Sequence, residues 1–154
     1  MYLYLVQHGQ AKSKDEDPER PLTQKGQDDV RKISALLKKA GISVENIWHS
    51  GKARAAQTAD ILATGVKVNQ GINQHNGLAP NDEIGPVKAE LNEVKQDLMI
   101  VGHLPFLSKL ASELLVNDSS AEVVTFQQGD VVCLERNEDM KWSVRWIVIP
   151  DLLT

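Results

Sequence analysis

The stretch Leu3-Tyr4-Leu5-Val6-Gln7-His8-Gly9 decides how this chain is read. Tyr2 to Val6 is a short apolar run rich in β-formers, the pattern of a strand covered on both faces. It breaks directly into the polar tripeptide Gln7-His8-Gly9. In open α/β sheets, ligands sit beyond the carboxyl ends of the strands, and a glycine lets the backbone turn tightly there. His8 is therefore a candidate for chemistry, although a lone histidine after a strand is more often a turn residue. A second histidine in the same setting raises its weight. Asp97 to Val101 is another apolar run, and it ends in Gly102-His103-Leu104-Pro105.

Between the two runs the sequence alternates helix and strand patterns. Residues 10–21 are polar and mixed in sign, which predicts a solvated loop over Lys12–Glu19 and, as a sharper reading, a flap beside His8. Arg20 stands apart, held between an acidic run and Pro21. Thr23 reads as a helix N-cap, with Val30, Ile33, Leu36, Leu37 and Ala40 at helical spacing and Gly41 as the stop. Asn46–His49 reads as a short strand. Ser50 reads as the cap of an Ala-rich helix whose first turn or so holds Arg54, an arrangement suited to an anion. Val66–Val68 reads as a third short strand, 69–77 as unpatterned, and Pro80-Asn81-Asp82-Glu83 as the opening of a helix bearing Ile84, Val87, Leu91 and Val94. Leu107, Leu110, Ala111 and Leu114 mark a further helix. Val131–Leu134 and Trp142–Ile149 flank a turn, and the alternation of Trp142, Val144, Trp146 and Val148 predicts one face of an edge hairpin. The expected fold is a three-layer α/β/α sandwich with a mostly parallel sheet and a C-terminal antiparallel hairpin at its edge, in a single domain over 1–154.

Bulk properties bound the function. A chain of 154 residues, 42% hydrophobic and 25% charged, suits one core. The net charge of −4 argues against a general nucleic-acid binder, so any anionic ligand must be met by a local cluster of cations. Cys133 is the single cysteine; it allows no intrachain disulfide and fits a reducing, cytoplasmic setting. The N-terminal run is too short, and lacks the basic flank, for a signal peptide. No run reaches the length that spans a membrane.

Arginine is suited to planar, bidentate recognition of phosphate oxygens. Neutral histidine, with an ordinary pKa of about 6.5, can attack phosphorus or bind a metal. Metal is the weaker reading for His8 and His103, because no acidic residue adjoins either. His49 reads as a strand-end residue, His75 as a loop residue, and Ser50 and Ser108 lack any hydrolase-type base motif.

Taken together, the residues resemble the histidine phosphatase (phosphoglycerate mutase-like) superfamily. The resemblance rests on Gln7-His8-Gly9, Arg20-Pro21-Leu22-Thr23 with Gly26, Ser50-Gly51-Lys52-Ala53-Arg54-Ala55-Ala56-Gln57-Thr58-Ala59, and Gly102-His103-Leu104-Pro105, in that order over roughly the first 115 residues. The short chain and its Arg-Pro-Leu-Thr segment look most like the SixA-like phosphohistidine phosphatase branch. The resemblance implies His8 as a transiently phosphorylated nucleophile. It implies Arg20, Arg54 and His103 as ligands of the phosphoryl group, and neither metal nor organic cofactor. The implied substrate is a phosphohistidine protein in a signalling context, or else a small phosphorylated molecule. Larger relatives carry an inserted acidic residue as general acid. Asp82 and Glu83 are the nearest candidates here, better explained as helix-start residues.

One position departs from the pattern. The residue before the nucleophile is normally arginine, and here it is Gln7. Loss of one donor to a developing oxyanion typically costs about 10²–10³ in rate. Three readings follow: a phosphatase of reduced or altered activity, a phosphatase in which Lys52 restores the charge, or a non-catalytic binder of phosphate or phosphoprotein. A small-molecule phosphomonoesterase or a sugar-phosphate mutase is a weaker alternative.

Overall fold

The apolar run at the start of the chain forms the inner strand on which the sheet is built. The computed structural model describes residues 1–154. Its strands are β1 (Tyr2–Gln7), β2 (Ser43–His49), β3 (Lys67–Gln74), β4 (Leu98–Gly102), β5 (Val131–Arg136) and β6 (Trp142–Val148). Its helices are α1 (Gln24–Lys39), α2 (Ala53–Leu62), α3 (Gly85–Glu93) and α4 (Phe106–Val116). One sheet holds all six strands in the order β3-β2-β4-β1-β5-β6. The first four are mutually parallel, and β5 runs antiparallel to both β1 and β6. The mostly parallel sheet with an antiparallel hairpin at its edge is thus as the sequence predicts.

Side-chain alternation along β1 feeds two cores. Leu3 and Leu5 face α3 and α4, packing with Val87, Leu91, Phe106, Leu107 and Leu110. Tyr4 and Val6 face α1 and α2, packing with Val30, Ile33, Leu37, Ala55, Ala59 and Leu62. Each fully buried aliphatic side chain stabilises the fold by about 1.5–3 kcal/mol, which is why the central strands read as unbroken apolar runs. Helix α1 has the predicted ends. The Thr23 side chain accepts a hydrogen bond from the Gly26 N–H at 3.0 Å, and Gly41 at φ +72° closes the helix with Ile42 N–H donating to Leu37 O and Gly41 N–H to Lys38 O.

Four expectations change. The third strand is eight residues long, covering most of the stretch read as unpatterned. It is the sheet edge, where backbone pairing to β2 suffices and only Val68 and Ile72 lean on the core. The second helix starts at Ala53 with Lys52 at its N-cap, and the Ser50 hydroxyl is used elsewhere. Pro80–Glu83 lies before α3 as a turn, with Asp82 accepting a hydrogen bond from the Ala79 N–H at 2.9 Å. Finally, the tryptophans do not share a face. Cys133 pairs with Trp146 but Leu134 with Val144, so Arg145 is an extra residue that reverses the alternation. Trp146 lies against Tyr4, whereas Trp142 lies under the guanidinium of Arg136 on the opposite face.

Candidate active site at the ends of β1 and β4

The parallel register of β1 and β4 places Gln7 opposite Gly102. The next residue of each strand is a histidine, so His8 and His103 emerge side by side, their ring centroids 5.0 Å apart and tilted by 53°. The backbone beneath His8 is held on several sides. Its N–H donates to Gly102 O at 3.1 Å, and the Gly129 N–H is shared between Gln7 O at 3.0 Å and His8 O at 3.1 Å. The Gly9 N–H donates to the Thr58 hydroxyl at 3.0 Å.

One hydrogen bond fixes the tautomer of His8. Its Nδ1 lies 2.7 Å from the carbonyl oxygen of Gly9. A carbonyl can only accept, so Nδ1 carries the proton and Nε2 keeps its lone pair. Burial then pushes the His8 pKa down to about 4, with Arg54 and Arg20 adding to the effect. The ring is neutral at neutral pH, as a nucleophile requires. His103 is pushed down to about 3, first by burial and then by His8, Arg54, Lys52 and Arg20. Its Nε2 lies 2.6 Å from the Ser50 hydroxyl, while its Nδ1 is buried with no partner.

The two arginines arrive from different directions. Arg54 is in the first turn of α2, its Nε buried and unpartnered; burial, then Arg20, lowers its pKa. Arg20 adopts a left-handed backbone at φ +50°, which costs a side chain with a Cβ about 1–3 kcal/mol. The loop compensates through Arg20 N–H to Asp17 O and Lys12 N–H to Pro21 O, and through Arg20 Nε to Lys12 O at 3.1 Å. Arg20 and Arg54 line a cleft of about 370 Å³ together with Lys14, Lys52, Glu19 and Pro80. None of the ion pairs in the structure includes Lys14, Arg20, Lys52 or Arg54. In a chain of net charge −4, this is a local concentration of unneutralised cations, the condition an anionic ligand needs.

His8 and His103 are thus neighbours, Arg20 and Arg54 share the cleft, and both arginines are near enough to lower the pKa of both histidines. Gln7 sits at the strand end, buried, its Oε1 without a hydrogen-bond partner. Lys52 is exposed and lines the cleft. Asp82 and Glu83 are exposed in the turn before α3. His49 accepts a hydrogen bond from the Gly51 N–H. His75 stacks on Trp48 and meets Glu90. No three His, Cys, Asp or Glu side chains cluster in a metal-binding arrangement. Three residues of the site were not foreseen from the sequence. Ser50 meets His103, Thr58 holds Gly9, and Gln57 Oε1 accepts from the Leu22 N–H at 2.7 Å to hold the Arg20 loop. The latter two lie in the Gln57-Thr58 pair of the motif that carries Arg54.

Residues 3–79 match the sequence profile of the histidine phosphatase superfamily (branch 1). The chain belongs to that superfamily. An uncharacterized protein of Picosynechococcus sp. is 36% identical over 121 residues, covering 74% of this chain and 73% of that one. Among solved structures, the protein histidine phosphatase SixA complexed with tungstate superposes with a TM-score of 0.87 over 100% of both chains at 24% identity. The alpha-ribazole phosphatase from Shigella flexneri does so with 0.79 over 97% of this chain and 96% of that one, at 17% identity. These two likenesses establish that this histidine phosphatase superfamily member has the same fold as SixA. No helix is long and apolar enough to cross a membrane.

Proposed function

We propose that the chain is a single-domain phosphatase that works through a covalent phospho-His8 intermediate. The observation that carries this reading is the Nδ1–H bond from His8 to Gly9 O, which leaves Nε2 as the free base. In the first step the Nε2 lone pair attacks phosphorus, and the bond from phosphorus to the leaving group breaks, its electron pair departing with that group. In the second step water attacks phospho-His8, releasing inorganic phosphate and restoring the neutral ring. Arg20, Arg54 and His103 hold the equatorial oxygens, where donors aimed at developing charge are most effective. No step in this scheme calls on a metal or an organic cofactor.

Phosphohistidine on a protein is the substrate we favour. Glu19 is the one carboxylate among the residues lining the cleft, and none hydrogen-bonds to His8 or His103, so a poor leaving group would have Glu19 alone as a carboxyl donor there. A phosphohistidine protonated on its distal ring nitrogen leaves as neutral imidazole, whose conjugate acid has a pKa of about 6.5; an alkoxide is a far stronger base. The open, cation-lined cleft also suits a protein segment, and the likeness to SixA points the same way.

The test is an acid-labile, alkali-stable label. Incubation with a phosphohistidine protein is expected to leave phosphate on the wild type and none on His8→Ala, with turnover at least about tenfold faster than on a serine phosphoester. A wild type that binds the phosphoprotein but neither takes up label nor turns over would instead establish a binding role. Gln7 at the arginine position, with its buried Oε1 lacking a partner, is what favours that second reading.

A further inference from the structure

Resting on the phosphatase reading, we infer that Ser50 is a positioning residue, which sets the tautomer of His103 so that its Nδ1–H is presented to the phosphoryl group. The Ser50 hydroxyl has two partners: the Lys52 N–H at 3.3 Å and His103 Nε2 at 2.6 Å. An N–H can only donate, so Lys52 occupies a lone pair of Oγ. Oγ keeps a second lone pair, so this bond alone allows either direction, but His103 Nε2 is the one acceptor the protein offers the hydroxyl hydrogen, and donation to it satisfies that hydrogen. With Nε2 accepting, the neutral ring must carry its proton on Nδ1.

The other end of the ring supports the same assignment. Nδ1 of His103 is buried and has no partner in the protein. A bare lone pair there would face an anionic ligand as one acceptor faces another. An N–H there donates to it. The arrangement mirrors His8, whose Nδ1 is also protonated, but by a different device: His8 uses the backbone carbonyl of Gly9, and His103 uses a side chain delivered by the turn before α2. That turn also leads into Arg54, two residues past Lys52. Ser50 therefore couples the histidine from the β4 end to the segment that carries the arginine, and the site's donors are set as a unit.

The experiment is nitrogen-15 NMR of the histidine rings at neutral pH, with inorganic phosphate as probe, alongside kinetics on a phosphohistidine protein. Wild-type His103 is expected with Nδ1 protonated and Nε2 accepting. In Ser50→Ala the ring should move toward the Nε2–H form, and kcat should fall at least about tenfold while KM changes less than about threefold, because the donor matters most as charge develops. Ser50→Thr keeps the hydroxyl and should retain both the tautomer and kcat within about threefold. A wild-type His103 protonated on Nε2, or an unchanged tautomer in Ser50→Ala, overturns the inference, and the first of these requires no variant to fold. A wild type with the assigned tautomer but no turnover would instead count against the phosphatase reading alone.

Discussion

The hydroxyl of Thr58 accepts the Gly9 N–H at 3.0 Å and donates to the Arg54 carbonyl at 2.7 Å. One fully buried side chain thus ties the turn after His8 to the helix that carries Arg54. Thr58→Val keeps the shape and removes the acceptor. It should destabilise the protein by about 1–3 kcal/mol, the cost of leaving a buried donor unpaired, and reduce kcat/KM at least tenfold. Urea denaturation and steady-state kinetics check both, and Thr58→Ser should recover most of each.

The acid limb of the pH–rate profile reports the free enzyme's nucleophile. The proposed nucleophile His8 must be neutral to attack, and burial pushes its pKa down to about 4. The kcat/KM profile should therefore stay level down to about pH 5 and fall as pH drops through 4. A limb centred near 6.5, the ordinary histidine value, would show that burial does not control the ring.

Stability should show the same histidines with a definite sign. Both have folded pKa values below the unfolded one, so the unfolded chain binds protons first as pH falls from about 6.5. Their contribution is present above that pH and is lost on acidification toward pH 3–4. Asp130 acts oppositely. Burial raises its pKa to about 6, and one of its oxygens has no partner, so its ionisation weakens the fold as pH rises. Asp130→Asn should raise Tm at pH 8 and have little effect at pH 4, as a melting series would read.

Gln7→Arg places a charged donor beside the proposed phosphoryl position. We expect kcat/KM to rise by about 10², the scale of one oxyanion donor. Parallel kinetics on Lys52→Ala and the double variant test compensation. If Gln7→Arg gains nothing and Lys52→Ala loses most activity, Lys52 already supplies the charge.

Arg136 is a structural cation. It is buried and donates to Leu91 O and Val94 O, each at 2.6 Å, closing the C-terminal end of α3. Arg136→Met fills the volume but leaves those carbonyls without their donor. It should cost about 2–4 kcal/mol with kcat altered less than about threefold, measured by denaturation and turnover.

Strand and helix periodicity made the central layers legible in the sequence, because Tyr2–Val6 and Asp97–Val101 must be apolar to lie between two helical layers. His8 and His103 stand out because each follows a break in such a run, whereas Arg20 and Arg54 gain weight only through the resemblance to the histidine phosphatase pattern. The polar strand β3 was not, since an edge strand needs backbone pairing more than burial. The tryptophan faces were missed because a single extra residue, Arg145, shifts the alternation without any local signal. The role of Ser50 is hidden in the sequence because a serine before a helix is ordinarily a cap, and its partner lies 53 residues away. Contacts of that range follow from sheet order, which a linear reading does not contain.

That order has a temporal consequence. β4 is inserted between β1 and β2, so β1 and the β2–β3 pair do not belong to one sheet until residues 98–102 arrive. The Gly129 N–H that grips Gln7 and His8 comes later still. During synthesis His8, the proposed nucleophile, therefore emerges among the first residues but stays unassembled until most of the chain has been made. A nascent or truncated product ending near residue 79 holds His8, Arg20 and Arg54 yet should be inert toward phosphorylated proteins, because the proposed reactive centre is assembled only on completion of the sheet.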